Sequence, residues 1–292
     1  MTAAPVYKSR PIRRRRRSQA DITVIREAIY DTIATDPPMT VRQVFYQLVS
    51  QGVIDKNEAE YKGTVVRLLG LMRREHEIPF GWIADSTRWM RKPDTFSSME
   101  SLLQDTARTY RRSVWDDQDE YVEIWLEKEA LAGVLYKETG IWDVPLMVTR
   151  GYPSLSFIHG AAEAIEYEDK PVFLYYFGDH DPSGVDIPRK VEADLREFAP
   201  DTEIHFECVA VIPEQIVALD LPTRPTKKTD SRSRNFEGES VEVDAIPPAD
   251  LRQLVHDCIE QHIDPHALAE TKRIEELEKE SLREFAQNWG AA

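Results

Sequence analysis

Val172-Phe173-Leu174-Tyr175-Tyr176-Phe177-Gly178-Asp179-His180-Asp181-Pro182-Ser183-Gly184 carries an apolar run into a turn that holds two carboxylates. The run reads as a buried strand, and Gly178 opens the turn after it. Side chains two apart on a strand point the same way. Asp179 and Asp181 are therefore expected to aim at one point beyond the strand's carboxyl end, where open α/β sheets bind ligands. Carboxylates held that close repel each other, and a shared cation such as Mg²⁺ relieves the repulsion. Asp, Pro, Ser and Gly are also turn formers, so a solvated turn accounts for the same residues. The flanking sequence has to separate the two readings.

Upstream and downstream, strand and helix patterns alternate. Strands are expected over 121–126, 144–149, 172–177 and 204–212, and helices over 129–138, 154–166 and 185–198. Regular βαβ alternation implies a parallel sheet with helices on both faces. The first strand ends Ile124-Trp125-Leu126-Glu127-Lys128-Glu129-Ala130, which puts Glu127 at the same sheet edge as Asp179 and Asp181. Three carboxylates at the ends of two parallel strands suit Mg²⁺, with water and a substrate phosphate completing its shell. Glu127 also fits a plain helix N-terminal acid favoured by the dipole, although Glu129 fits that role better. Thr149-Arg150-Gly151-Tyr152-Pro153 ends the second strand; Gly151 permits close backbone approach and Arg150 suits a phosphate, but a purely structural turn explains it as well.

The chain has 292 residues and a net charge of −15, enough length for two domains. The charge is uneven. Residues 1–115 hold 20 Lys+Arg against 13 Asp+Glu, a net of +7, and residues 116–292 carry −22. A basic front suggests a polyanion contact, and an acidic back suits a metal-binding domain or a solubilising surface. No apolar run reaches membrane-spanning length, and no signal peptide is expected. Two cysteines, Cys208 and Cys258, lack CxxC spacing, so neither a disulfide framework nor a zinc site is indicated and a reducing cytoplasm is expected.

Residues 1–20 form a basic arm containing Arg13, Arg14, Arg15, Arg16 and Arg17. Its composition predicts disorder and salt-sensitive affinity for nucleic acid, or simply a solvated tail. Three helical patterns follow, over 21–35, from the Thr40 cap to Gly52, and from Asn57 to about 76, before a short strand or wing over 79–84. A winged helix-turn-helix domain over 21–95 is one reading and a plain helical bundle the other. The expected organisation is completed by a connector over 96–118 and an α/β domain with a C-terminal helical extension over 119–292.

The stretches Glu127-Lys128-Glu129-Ala130, Arg150-Gly151-Tyr152-Pro153 and Asp179-His180-Asp181-Pro182-Ser183-Gly184-Val185-Asp186-Ile187 resemble the Toprim domain of the DNA-cleaving chain of DNA topoisomerase VI, a type IIB topoisomerase, and of its meiotic double-strand-break relatives. Glu242-Val243-Asp244-Ala245-Ile246 resembles a segment near the end of that domain. The resemblance covers about residues 21–260, and its order of motifs is more specific than any one of them. It implies an α/β Toprim (Rossmann-like parallel sheet) domain preceded by a mainly helical winged helix-turn-helix domain. It also implies a catalytic tyrosine on a helix four residues after an arginine, which matches Arg42-Gln43-Val44-Phe45-Tyr46. That spacing puts Arg42 and Tyr46 on one helix face. A tyrosine packed into the core is the plain structural alternative.

The chain departs from the family pattern in several places. Phe45 replaces the first aromatic of the tyrosine motif, Arg150 a lysine, and Ser154 an acid; the chain is short, and the basic arm lies outside the pattern. The resemblance implies Mg²⁺-dependent cleavage of double-stranded DNA, with Tyr46 forming a 5′-phosphotyrosyl link, Arg42 and Arg150 on the phosphate, and Glu127, Asp179 and Asp181 on the metal. Glu127 as a proton shuttle to the 3′-oxygen is a second role it suggests. It further implies a homodimer, in which the tyrosine of one protomer meets the metal of the other. A separate ATPase chain as partner and a nucleoid-associated cytoplasmic setting follow from the same likeness. A Toprim nuclease that uses water and a non-catalytic DNA-binding protein are the competing expectations.

Overall fold

The computed structural model describes residues 17–84, 93–225, 236 and 238–290. The first elements are helices with signals at their starts. Ser18 and Asp21 exchange side-chain and backbone hydrogen bonds at the head of α1 (Gln19–Thr35), and Thr40 and Gln43 do the same for α2 (Val41–Ser50). Ile25, Ile29 and Ile33 bury one stripe of α1. Gly52, at φ +69°, turns the chain away after α2 in a conformation that costs glycine little. Asn57 caps the third helical pattern, in which α3 (Glu58–Glu60) runs through a π-helical turn at Tyr61–Val66 into α4 (Arg67–Arg74).

One expectation about this region needs correction. The strand expected over 79–84 does not form: Phe80–Trp82 is a 3₁₀ turn, and Ile83 makes a single bridge to Met39. Pro79 has no N–H to donate and Gly81 weakens an extended segment, so one bridge is what remains. Residues 85–92 lie outside the described residues. The connector contains a helix, α5 (Met99–Thr109), capped by Ser98 and packed on the long terminal helix α11 (Pro265–Gly290).

The remainder is an α/β unit. Strands β1 (Tyr121–Leu126), β2 (Leu146–Val148), β3 (Val172–Phe177) and β4 (Ile204–Ala210) form one fully parallel sheet in the order β2-β1-β3-β4. β1 and β3 are the central pair and are buried almost throughout, as strands covered on both faces are. The intervening helices are α6 (Ala132–Thr139), α7 (Leu155–Glu168) and α8 (Pro182–Phe198). The short α9 (Pro213–Ala218) and then α10 (Pro248–Glu260) follow the last strand. The path runs outward from β1 to β2, then back past β1 to β3 and on to β4. Crossovers of one hand in opposite directions put α6 on one face and α7 and α8 on the other; α7 indeed packs on α8, and α6 on α10. The reversal falls between β1 and β3, where parallel sheets open a crevice at their carboxyl ends.

One hydrophobic cluster extends without a break from Ile25 and Val44 of the helical unit to Leu126, Val243 and Ile259 of the α/β unit. Among the described residues no helix is long and apolar enough to cross a membrane.

Candidate functional site at the sheet's carboxyl edge

The switch point between β1 and β3 sets the positions of Glu127 and Asp179. Glu127 extends the ladder by donating its N–H to Phe177 O at 2.9 Å, and its own Oε2 accepts the N–H of Asp179 at 3.1 Å. This close approach explains Gly178: a Cβ there would meet Glu127 Oε2 at 2.8 Å and the Tyr176 ring at 2.6 Å. Gly184 is more tightly confined, since its Cβ would fall 2.0 Å from the carbonyl oxygen of Asp179.

Asp181 has a different surrounding. It caps α8, with Oδ1 accepting the N–H groups of Ser183 and Gly184 at 2.9 Å each, while Oδ2 lies 3.6 Å from Arg224. The helix thus begins at Pro182 rather than near 185, and Asp181 is a turn residue and helix cap that does not line the cleft with Asp179. Among the described residues, no group of three or more His, Cys, Asp and Glu side chains is arranged to hold a metal ion.

Lys128, Glu242 and Asp244 belong to the site as well. Lys128 Nζ lies 2.8 Å from Asp244 Oδ2, 2.9 Å from Asp179 Oδ1 and 3.4 Å from Glu242 Oε2. Val243 donates its N–H to Asp179 Oδ1 at 2.9 Å. The 3₁₀ turn Val243–Ala245 packs on α2, so Arg42 reaches Glu242 at 3.2 Å and Thr40 reaches Asp244 at 3.3 Å. A signal for these residues exists in the sequence. Lys128 follows Glu127 directly, and Glu242-x-Asp244 repeats the spacing of Asp179-x-Asp181.

The resulting cleft has a volume of about 850 Å³ and is lined by Arg42, Glu127, Lys128, Arg150, Asp179 and Glu242, among others. Arg150 projects into it with an exposed side chain paired to Glu129. Of the arginine run in the basic arm, only Arg17 is described, and it pairs with Glu60 at 2.7 Å; Arg13, Arg14, Arg15 and Arg16 lie outside the described residues. Arg42 stacks on the Tyr61 ring at 4.6 Å, and Lys56 stands over the Tyr46 ring at 5.4 Å. Tyr46 itself is 3% exposed and lies beneath Arg42 rather than on the cleft wall. Its electrostatic neighbours are Glu242, Arg42 and Lys128.

Burial and the nearby acids shift the titrations. Burial, then the charge of Asp179 and a smaller push from Asp181, raise Glu127 to about 7. Burial raises Asp179 against the pull of Lys128. Burial would raise Glu242 too, but Lys128, Arg42 and Arg224 hold it below the usual carboxylate range. Burial and Glu242 push the Tyr46 phenol up to about 12. The carboxylates that line the cleft are Glu127, Glu129, Asp179, Glu242 and Asp244, and Glu127 has no ion pair among the described residues. Their donors are all oxygens, the donor type that Mg²⁺ takes, so the residues present suit a hard divalent cation by both charge and chemistry.

No protein-family model matches the chain, and no curated protein matches its sequence.

Proposed function

We propose that this cleft cleaves DNA by Mg²⁺-assisted tyrosyl transesterification, in the manner of the DNA-cleaving chain of a type IIB topoisomerase. On this reading the α/β unit is a Toprim domain and the helical unit a winged-helix variant. One observation carries the reading: the Arg42/Tyr46 face of α2 comes to rest on Glu242, and Arg42 lines one cleft with the strand-end Glu127 and Asp179, so that motifs far apart in sequence meet. Glu127, Asp179 and Asp181 would hold the cation, which when bound offsets charge developing on the phosphate.

The chain's own residues supply the rest. Arg42 leaves Glu242 to clamp the scissile phosphate, which uncovers the phenol beneath it. Glu242, having lost a cation, gains proton affinity and accepts the proton of Tyr46. The phenolic oxygen bonds to phosphorus as the bond to the 3′-oxygen breaks, and that oxygen takes up a proton from solvent. The products are a 5′-phosphotyrosyl link and a free 3′-OH. Arg150 adds a second phosphate contact from the cleft wall, and the basic arm adds sequence-independent affinity. Cutting both strands requires two such sites, hence a homodimer, and strand passage would require a separate ATPase chain.

The burial of Tyr46 favours a second reading, in which water attacks and Tyr46 only packs. Incubating the protein with duplex DNA and Mg²⁺, then denaturing it, separates the two. The tyrosyl reading expects a covalent DNA–protein adduct that Tyr46→Phe abolishes together with cleavage. Cleavage retained by Tyr46→Phe, with no adduct from the wild type, establishes hydrolysis instead.

A further inference from the structure

Glu127, Glu129, Asp179, Glu242 and Asp244 line the cleft, Asp181 caps α8 beside it, and apart from Glu129, which Arg150 pairs, the described cations serve them unequally. Lys128 is directed at Asp179, Glu242 and Asp244, at 2.8 to 3.4 Å. An ammonium has three N–H donors and no acceptor, so this ring uses all three. Glu242 also receives Arg42 at 3.2 Å and Arg224 at 2.9 Å. Three carboxylates thus face three fixed cations. Asp181, beyond its capping bonds, has among the described residues the more distant Arg224. Glu127 has no ion pair among the described residues, and the donor it accepts from is the backbone N–H of Asp179.

The geometry points to Lys128 as a built-in cation that fills the Asp179–Glu242–Asp244 ring and leaves the cleft room for a single divalent cation, on the Glu127 side. This inference rests on the metal reading proposed above. A second divalent ion in the ring would have to expel an ammonium whose partners already surround it. Lys128 is therefore a positioning residue: with all its donors committed, it fixes Asp179 and the ring rather than gripping the substrate.

Counting Mn²⁺ ions bound to the full-length chain without DNA, by calorimetry and by the electron paramagnetic resonance of free Mn²⁺, tests this apart from any cleavage. The wild type should bind one ion, and Glu127→Gln should weaken that site ~10-fold or more. Lys128→Met should bind two, because the ring then holds three carboxylates without their central cation. Asp244→Asn keeps its size and provides the same test should Lys128→Met not fold: it should still bind one ion at nearly unchanged affinity. Two ions on the wild type, a folded Lys128→Met that binds one, or loss of the ion in Asp244→Asn would each overturn the inference while leaving the metal reading intact. No ion on the wild type would overturn both.

Discussion

Glu123 is in the middle of β1 with 2% of its surface exposed, and its carboxylate accepts the indole N–H of Trp125 at 2.8 Å. Burial raises its pKa from 4.5 to about 7, against the pull of that bond and with a push from Glu168. An acid whose pKa is raised by folding binds its proton more tightly in the folded state. Below about 4.5 both states are protonated, and the group costs nothing. Stability then falls as pH rises towards 7 and is flat above, a loss on the order of 3 kcal/mol. Glu123→Gln keeps an acceptor for Trp125 and removes the ionisation. The variant should melt above the wild type at pH 8 and show no advantage at pH 4.5; equal melting temperatures at both would refute the buried charge. None of this is visible in Tyr121-Val122-Glu123-Ile124-Trp125-Leu126 read alone, where alternation places Glu123 on a wet face. Only the helices on both sides of the sheet make that face dry.

At the scale of elements, legibility depends on how local the cause is. Periodicity marks α1, and caps mark α2 and the helix opened by Asn57, because Thr40 and Asn57 act within four residues of themselves; α1 begins at Gln19 under a Ser18 cap, inside the stretch expected to be a disordered arm. The apolar β1 and β3 are equally plain. α5 has a local cap in Ser98, but the face it buries is covered by α11, far along the chain. The start of α8 departs from expectation because Asp181 serves as both turn residue and cap. Glycine behaves in the same way: its importance at 184 depends on a neighbouring carbonyl and not on sequence. Gly184→Ala forces its Cβ against the Asp179 backbone and should cost ~1–3 kcal/mol, while weakening Mn²⁺ binding at the displaced carboxylate. Gly160→Ala, in open space on α7, should be neutral or stabilising by up to ~1 kcal/mol. Urea midpoints for the pair check the contrast, and equal shifts would argue that the Gly184 contact relaxes without strain.

At the scale of the whole molecule, the helical unit is fixed to the α/β unit by more than the cleft. Lys56 donates to the carbonyls of Pro222 and Thr223 at 2.7 and 2.6 Å, Lys137 to that of Pro37 at 3.0 Å, and Arg252 pairs with Asp36. With a continuous core beneath them, these contacts hold Tyr46 against Glu242 and Lys128 of its own chain. Both halves of the candidate site are legible in the sequence but their relation is not, because docking of one unit on another depends on surfaces with no local signature. The family resemblance implies a tyrosine working on a partner's metal, whereas within the single chain Tyr46 rests near Glu242 and Lys128. Mixing Tyr46→Phe with Asp179→Ala distinguishes these arrangements. If the site is shared between protomers, a mixed dimer contains one intact tyrosine facing one intact carboxylate set, and DNA adducts return. If each site lies within one chain, every site keeps a defect. The expected outcome, after the two variants are unfolded and refolded together, is no adduct above the level of either alone, while wild type taken through the same cycle forms it. Adduct recovery in the mixture would show that Tyr46 leaves its resting place in this fold and crosses to a second copy.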